Sequence, residues 1–238
     1  MEQFVYDRSM DVEPSFAIIG ALIGVPARAN ILSALMDGRA QTATELAFHS
    51  GVSAQTASSH LAKLTDAKLL VAERHGRHRY YRLASPAVAE AIEPLTNLVA
   101  HRPVPARRKS KALEELRTAR MCYDHLAGGL GVALTDALLA QGHLVPAGRD
   151  FRVTAEGERF LARVGLDLKA VRAQRRIFAR QCLDWSERRP HLGGALGAAF
   201  AARCLAGKWI RRAPEGRKVV MTPAGRDAFA RLLPGFAD

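Results

Sequence analysis

Apolar positions in the first hundred residues fall into runs of different period, and each change of period marks an element. Phe16 to Leu35 is almost entirely apolar or small, including Ile18, Ile19, Leu22 and Ile23, which is more than one small domain needs on a single helical face. Thr42 followed by Glu45 has the spacing of a capping box, and Leu46 and Ala47 begin an apolar stripe that stops where Gly51 supplies a tight turn. A second helix is predicted from Ser53, with Leu61 and Leu64 on one face and Gln55, Thr56, Ser58, Ser59 and Lys63 on the other. Leu69, Leu70 and Val71 lead into a strand expected to break at Glu73-Arg74-His75-Gly76-Arg77-His78, with Gly76 at the tip, before Arg79-Tyr80-Tyr81-Arg82-Leu83 returns. Pro86 to Val99 is helical in period, with Val88, Ile92, Leu95, Leu98 and Val99 on one stripe.

Cap, turn, polar second helix and basic hairpin in this order outline a winged helix-turn-helix. In such a fold the short polar side chains of the second helix meet base edges and phosphates in a major groove. The DNA-binding candidates are Ser53, Gln55, Thr56, Ser58, Ser59, His60 and Lys63 on the helix, with Arg74, Arg77, Arg79 and Tyr81 on the wing. The stretch "ILSALMDGRAQTATELAFHSGVSAQTASSHLAKLTDAKLLVAERHGRHRYYRL" resembles the DNA-binding domain of ArsR/SmtB-type bacterial repressors, and the likeness covers about residues 16 to 100. The resemblance implies that Ser53 to Leu64 is the recognition helix and Arg74 to Arg82 the wing. It also implies a dimer, built through the first and last helices of the domain, that leaves DNA when an inducer, often a metal ion, is bound. Two departures stand out. The helix before the turn reads Glu45-Leu46-Ala47-Phe48-His49 where some members carry Cys-x-Cys, and the later helix offers Glu90 and Glu93 with only His101 beyond, where others place Asp and His ligands. Neither metal site of the family is intact.

Charge sharpens this picture more by position than in total. The chain of 238 residues carries 35 Lys and Arg against 23 Asp and Glu. Residues 1–100 hold 9 basic and 10 acidic side chains, so the surplus lies in the second half. Within 63–82, however, Lys63, Lys68, Arg74, Arg77, Arg79 and Arg82 face only Asp66 and Glu73, concentrating positive charge where phosphates should lie. The Arg-rich remainder reads by default as solvated surface.

The best domain boundary is "HRPVPARRKSK", residues 101–111, where two prolines and a run of basic side chains interrupt the helical pattern. It separates a DNA-binding and dimerisation domain, 1–100, from an effector or assembly domain, 112–238. That second domain repeats itself over about 122–164 and 182–233. His125-Leu126-Ala127-Gly128-Gly129-Leu130-Gly131 is answered by His191-Leu192-Gly193-Gly194-Ala195-Leu196-Gly197, and each copy follows a Cys-x-Asp, Cys122-Tyr123-Asp124 or Cys182-Leu183-Asp184. Val153-Thr154-Ala155-Glu156-Gly157 matches Met221-Thr222-Pro223-Ala224-Gly225 downstream. Each copy implies a helix, a hairpin and a further helix, a degenerate winged-helix-like unit without a recognition helix. The fold class is therefore mostly α with small β-hairpins (α+β).

Cys122 and His125, read as helical, share a face at the spacing that lets one turn supply two metal ligands. Cys182 and His191 complete a Cys2His2 set for zinc or another divalent transition metal, with Asp124 or Asp184 behind it or as alternative ligand. Thiol redox sensing, with Arg120 and Arg180 favouring a thiolate, competes with this reading, as does simple packing of buried Cys. A small-molecule pocket lined by Tyr123, Phe178, Trp185, Phe200 and Trp209, with Arg188 or Arg189 meeting an anion, is the other open possibility. Cys204, in an Ala-rich helix, reads as packing.

Several classes fall away. No apolar run approaches the eighteen or so residues of a membrane span. The opening "MEQFVYDRSMDVEPSFA" lacks the basic and hydrophobic regions of an export signal, and three cysteines form no disulfide framework. These features point to the cytoplasm. No phosphate loop, nucleophile elbow or zinc-hydrolase motif argues for an enzyme. The expectation is a homodimeric regulator on double-stranded DNA with an inverted-repeat operator; a nucleoid-type non-specific DNA binder is the alternative.

Overall fold

The computed structural model describes residues 16–76, 78–99, 111–214, 216–234 and 236. Its contacts divide into two units, one formed by residues up to Ala34 together with Gln41–Tyr81, the other by Leu35–Ala40 together with Arg82 onward. The expected linker, 101–111, lies outside the described residues except for Lys111. The division falls earlier than residue 100, so the helix Pro86–Val99 belongs to the second unit.

The first unit opens with α1 (Phe16–Ile23) and α2 (Pro26–Ala34). Arg28 is buried, and its guanidinium donates to the Ala21 and Leu22 carbonyls at 2.6 Å each, satisfying oxygens that the end of α1 leaves open. β1 (Gln41–Thr42) runs into α3 (Ala43–Ser50) through the anticipated capping box. The Glu45 N–H donates to Thr42 Oγ1 at 3.3 Å, while the Glu45 carboxylate accepts from the Thr42 N–H at 2.7 Å. Gly51 ends α3 at φ 68°, the left-handed conformation that favours glycine. Ser53 caps α4 (Ala54–Asp66), accepting from the Thr56 N–H at 3.2 Å, and Ala57, Leu61 and Leu64 form its buried face. β2 (Leu70–His75) and β3 (His78–Leu83) make the wing, and β1 adds to β3 with Gln41 opposite Tyr81. β2 continues through Glu73, Arg74 and His75, where the sequence had suggested a break. The polar run is an exposed strand edge, and Gly76, at φ 58°, follows its end.

In the second unit α5 (Pro86–Val99) and α6 (Lys111–Thr118) precede two copies of one motif. The first copy is β4 (Arg120–Cys122), β5 (His125–Ala127), α7 (Gly128–Ala140), β6 (Leu144–Ala147), β7 (Asp150–Val153) and α8 (Ala155–Val164). A connecting α9 (Leu168–Arg172) leads to the second copy, β8 (Gln181–Leu183), β9 (Pro190–Leu192), α10 (Gly194–Ala206), β10 (Ile210–Arg212), β11 (Val219–Met221) and α11 (Pro223–Leu232). The helix, hairpin and helix anticipated in each copy are therefore present, preceded in both by one further hairpin.

The repeated glycines have a common cause. Gly128 and Gly194 start α7 and α10 at φ 74° and 73°. At Gly131 a Cβ would lie 2.5 Å from the Leu126 carbonyl oxygen, and at Gly197 it would lie 2.2 Å from that of Leu192. The copies exchange hairpins: β8–β9 packs on α7, and β4–β5 on α10. Thr135 on α7 fastens this exchange, accepting from the Leu192 N–H at 2.9 Å. Leu130, Leu134 and Phe160 share one apolar core with Leu196, Phe200 and Phe229. Each such side chain contributes about 1.5–3 kcal/mol by leaving water, so the two copies stand or fall together.

Candidate nucleic-acid interface and candidate metal centre

The candidate recognition surface lies on α4. Burial of Ala57, Leu61 and Leu64 turns Gln55, Thr56, Ser58, Ser59 and Lys63 outward, all exposed, with Ser53 exposed at the N-cap. His60 is half-buried; burial first, then Arg28 and Lys63, hold its imidazole below the ordinary value. On the wing Arg74 and Arg79 are exposed, and Arg77 lies outside the described residues. Tyr81 is a correction. It is 7% exposed, because strand alternation turns it inward, and the Arg79 guanidinium covers its ring 5.4 Å from the centroid. It supports the wing rather than facing a duplex.

The four proposed metal ligands come together, although by another route than a helix. Cys122 and His125 are cross-strand partners in β4–β5, joined by a turn through Tyr123, at φ 60°, and Asp124. Cys182 and His191 hold the same register in β8–β9. Three-residue spacing suits a helical turn, but it equally suits a two-residue hairpin, and the strand-forming flanks decide for the hairpin. The ligand atoms of all four lie within 4.8 Å of one another. The two sulfurs are 4.0 Å apart and the two imidazoles stack at 5.1 Å.

Each histidine has a carboxylate behind it. Asp124 Oδ1 lies 3.2 Å from His125 Nδ1, leaving the buried His125 Nε2 without a partner. Asp184 Oδ2 lies 3.6 Å from His191 Nδ1, and neither ring nitrogen of the fully buried His191 makes a hydrogen bond among the described residues. Both aspartates are committed elsewhere, Asp124 to Arg176 and Asp184 to Arg120 at 2.8 Å, so neither joins the four as a ligand. The Cys182 thiol and burial push the Cys122 thiol well up, with His125 working against them, and the Arg120 charge is engaged by Asp184. Burial, then His125, holds His191 well below its ordinary value and neutral. Burial opposes ionisation of Asp184, yet Arg120, Ser186 and the Gly128 N–H hold it well below the usual carboxylate range. Cys204 is buried, its thiol pushed up to about 12 by burial, in keeping with packing.

A cavity of about 810 Å³ opens onto Cys122, His125 and Cys182, and Glu90, Asp124 and Arg176 line it as well. The five aromatic residues considered from sequence do not gather at this cavity. Only Tyr123 of the five lines it, while Phe200 is core, Phe178 and Trp209 pack against the core, and Trp185 lies under Arg120.

Residues 26–79 match the model of the MarR family. A relative from Bacillus subtilis, the HTH-type transcriptional regulator YdfF, is 45% identical over 222 residues, which is 93% of this chain and 98% of the relative. The chain belongs to the HTH-type transcriptional regulators. The likeness to YdfF takes in the second unit of the regulator as well as the first. The HTH-type transcriptional regulator CmtR of Mycobacterium tuberculosis is 36% identical over 87 residues, 37% of this chain and 73% of that one. The homodimeric winged helix-turn-helix domain of Mb0332 from Mycobacterium bovis aligns over 37% of this chain and 81% of its own, with 27% identity and a TM-score of 0.34.

Three side chains of the regulator escaped the sequence. Arg176 read as surface charge, and Arg120 and Arg180 as neighbours of the cysteines, yet Arg176 and Arg180 bind Glu90 at 3.5 and 2.9 Å, and Arg120 is fully buried against Asp184. Their partners are tens of residues away, so no local pattern reveals them.

Proposed function

We propose that the regulator is a sequence-specific, dimeric repressor of the ArsR/SmtB type that acts in the cytoplasm on an inverted-repeat operator. The observation that carries this reading is the α4 surface, a capped helix presenting Gln55, Thr56, Ser58, Ser59 and Lys63 beside the basic wing. One such helix reads too few base pairs for useful specificity, and a dimer places two in successive major grooves. A second copy is the natural cover for α1, which buries none of its side chains and leaves Phe16 78% and Ile18 51% exposed. The effector is sensed in the second unit, at the Cys–His cluster, because the two sites used elsewhere in the family lack their ligands.

Capture of bound genomic DNA tests the reading. A few sharp promoter peaks with palindromic sites are expected; diffuse coverage would mean a nucleoid-type packaging protein, and no enrichment would point away from DNA altogether. In binding assays Ser58→Ala relaxes base preference by about 1–3 kcal/mol at its contacted position. Arg79→Ala weakens all sequences and lowers the salt slope by about one. Unchanged affinity after removing Lys63 and the wing arginines together would end the assignment.

A further inference from the structure

Three buried imidazole nitrogens at the junction of the two copies lack, among the described residues, the partners that burial demands. His191 is fully buried with both ring nitrogens unpaired, and His125 Nε2 is buried and unpaired beside it. A buried polar group left without a hydrogen bond is destabilising. Hydrogen bonds within the cluster do not resolve this, since the thiols face each other at 4.0 Å and the rings stack. A single cation at the centre resolves all of it. Tetrahedral zinc, with bonds of about 2.3 Å to sulfur and about 2.0 Å to nitrogen, needs donor atoms roughly 3.3–3.8 Å apart. Donors already within 4.8 Å of one another reach that spacing by small side-chain adjustments. Two thiolates and two neutral imidazoles around a dication form a set of zero net charge, which a dry interior tolerates. The same donors disfavour calcium and magnesium, which take oxygen ligands.

We propose that Cys122, His125, Cys182 and His191 bind one divalent ion of the zinc class, which clamps the two copies together, and that an Asp124–Arg176–Glu90 chain ties its occupancy to α5. On binding, four metal–ligand bonds form, and the protons of the two thiols and of the His125 Nε2 leave to solvent. Each copy supplies one Cys and one His from facing strands, so neither half holds the ion alone. Gly193 has no side chain to spare here, since a Cβ would sit 3.2 Å from His125 Nε2 and 3.3 Å from the Cys182 Cβ. Coordination through Nε2 fixes His125, whose Nδ1 faces Asp124. The other Asp124 oxygen accepts from Arg176, and Arg176 and Arg180 both grip Glu90 on α5. Asp124 and Glu90 are positioning residues in this arrangement. The proposal deepens the effector reading above, and its test uses no DNA, so the two fail separately.

The test is cobalt(II) titration of full-length protein purified in reductant, followed by displacement with zinc. One cobalt per chain is expected, with thiolate-to-cobalt charge transfer and the d–d absorption of a tetrahedral site. Cys182→Ser, altering a half-buried thiol, should keep the fold by circular dichroism and lose that spectrum, and His191→Ala should distort or lose it. No tetrahedral spectrum in the wild type, an unchanged one in both variants, or a Cys122–Cys182 disulfide as the stable form in reductant would each overturn the site. For the link to α5, zinc should slow amide exchange across Pro86–Val99 by about five-fold or more. Glu90→Gln should keep the cobalt spectrum and abolish that slowing; equal slowing in both proteins would overturn the link.

Discussion

The two copies of the second unit hold the same Cys–His pair in the same cross-strand register, yet they surround it with different electrostatics. In the first copy the turn is two residues long, and Asp124 remains 27% exposed, divided between His125 and Arg176. In the second the turn runs from Asp184 to Arg189, and Asp184 is fully buried. It accepts from Arg120 at 2.8 Å, from the Gly128 N–H at 2.7 Å and from the Ser186 N–H at 2.9 Å. The bond to Gly128 crosses from one copy to the start of the other's helix α7. Two aspartates equally placed after a cysteine thus serve different ends. One locks the copies together; the other is left where a neighbouring helix can feel it.

Replacing each aspartate in turn gives the largest contrast. Asp184→Asn leaves the Arg120 guanidinium buried without its counter-charge, and removing one partner of a buried pair costs about 3–5 kcal/mol. Asp124→Asn, at a part-exposed pair, should cost about 1 kcal/mol or less. Urea unfolding of the two variants measures both. Equal losses would show that the two turns are not electrostatically different.

The glycines offer the next largest effect and test whether the copies are equally tight. An added Cβ at Gly197 meets the Leu192 oxygen at 2.2 Å and the His125 Cβ at 3.2 Å; at Gly131 the corresponding approaches are 2.5 Å to Leu126 and 3.7 Å to His191. Overpacking of this kind costs about 1–3 kcal/mol. Gly197→Ala should therefore be the more destabilising, read from thermal or urea midpoints. The reverse order would mean that α10 yields more easily than α7.

What was readable in advance divides along the same lines. The capping box at Thr42 and Glu45, the Gly51 turn, the Ser53 cap and the polar face of α4 are set by neighbours a few residues apart, so the residues themselves declare them. The repeat was legible because identical residues recur, and with it the grouping of Cys122, His125, Cys182 and His191. Their backbone was not legible, since a spacing of three serves a helix and a hairpin alike. Tyr81 was misplaced because an aromatic next to a basic strand looks exposed until β1 pairs with it. Arg176 with Glu90, and Arg120 with Asp184, are contacts of the folded chain between distant segments, and scattered arginines carry no mark of which will be paired.

Smaller and more symmetrical is the effect expected at the paired helix caps. Thr154 and Thr222 each accept from an N–H three residues on, at 3.0 Å in both cases, and each hydroxyl also donates to a carbonyl of the preceding turn. Either Thr→Ala change should cost about 1 kcal/mol. Matching losses would locate the difference between the copies in their first hairpins, and unequal ones would spread it along the whole repeat.

The smallest difference concerns acid. His143 occupies in the first copy the position of Trp209 in the second, each offering its carbonyl to the helix-capping threonine. The His143 ring stacks on Phe160 at 4.2 Å, and its Nδ1 is buried without a partner. Burial is the main cause that holds this imidazole below its ordinary value, with Glu156 working against it and Arg163 assisting. A histidine kept neutral by the fold takes up its proton more readily once unfolded. Stability is therefore unaffected by His143 above the ordinary histidine range and is lost as pH falls below about 6.5. Indole does not titrate, so the second copy has no such weakness at this position. Urea midpoints taken at about pH 7 and about pH 5 should fall on acidification in the wild type, and fall less in His143→Phe. His191, also held neutral, contributes to both proteins alike, so the difference between the two slopes reports His143. Identical slopes would mean that His143 is protonated within the fold and that the copies share one response to acid.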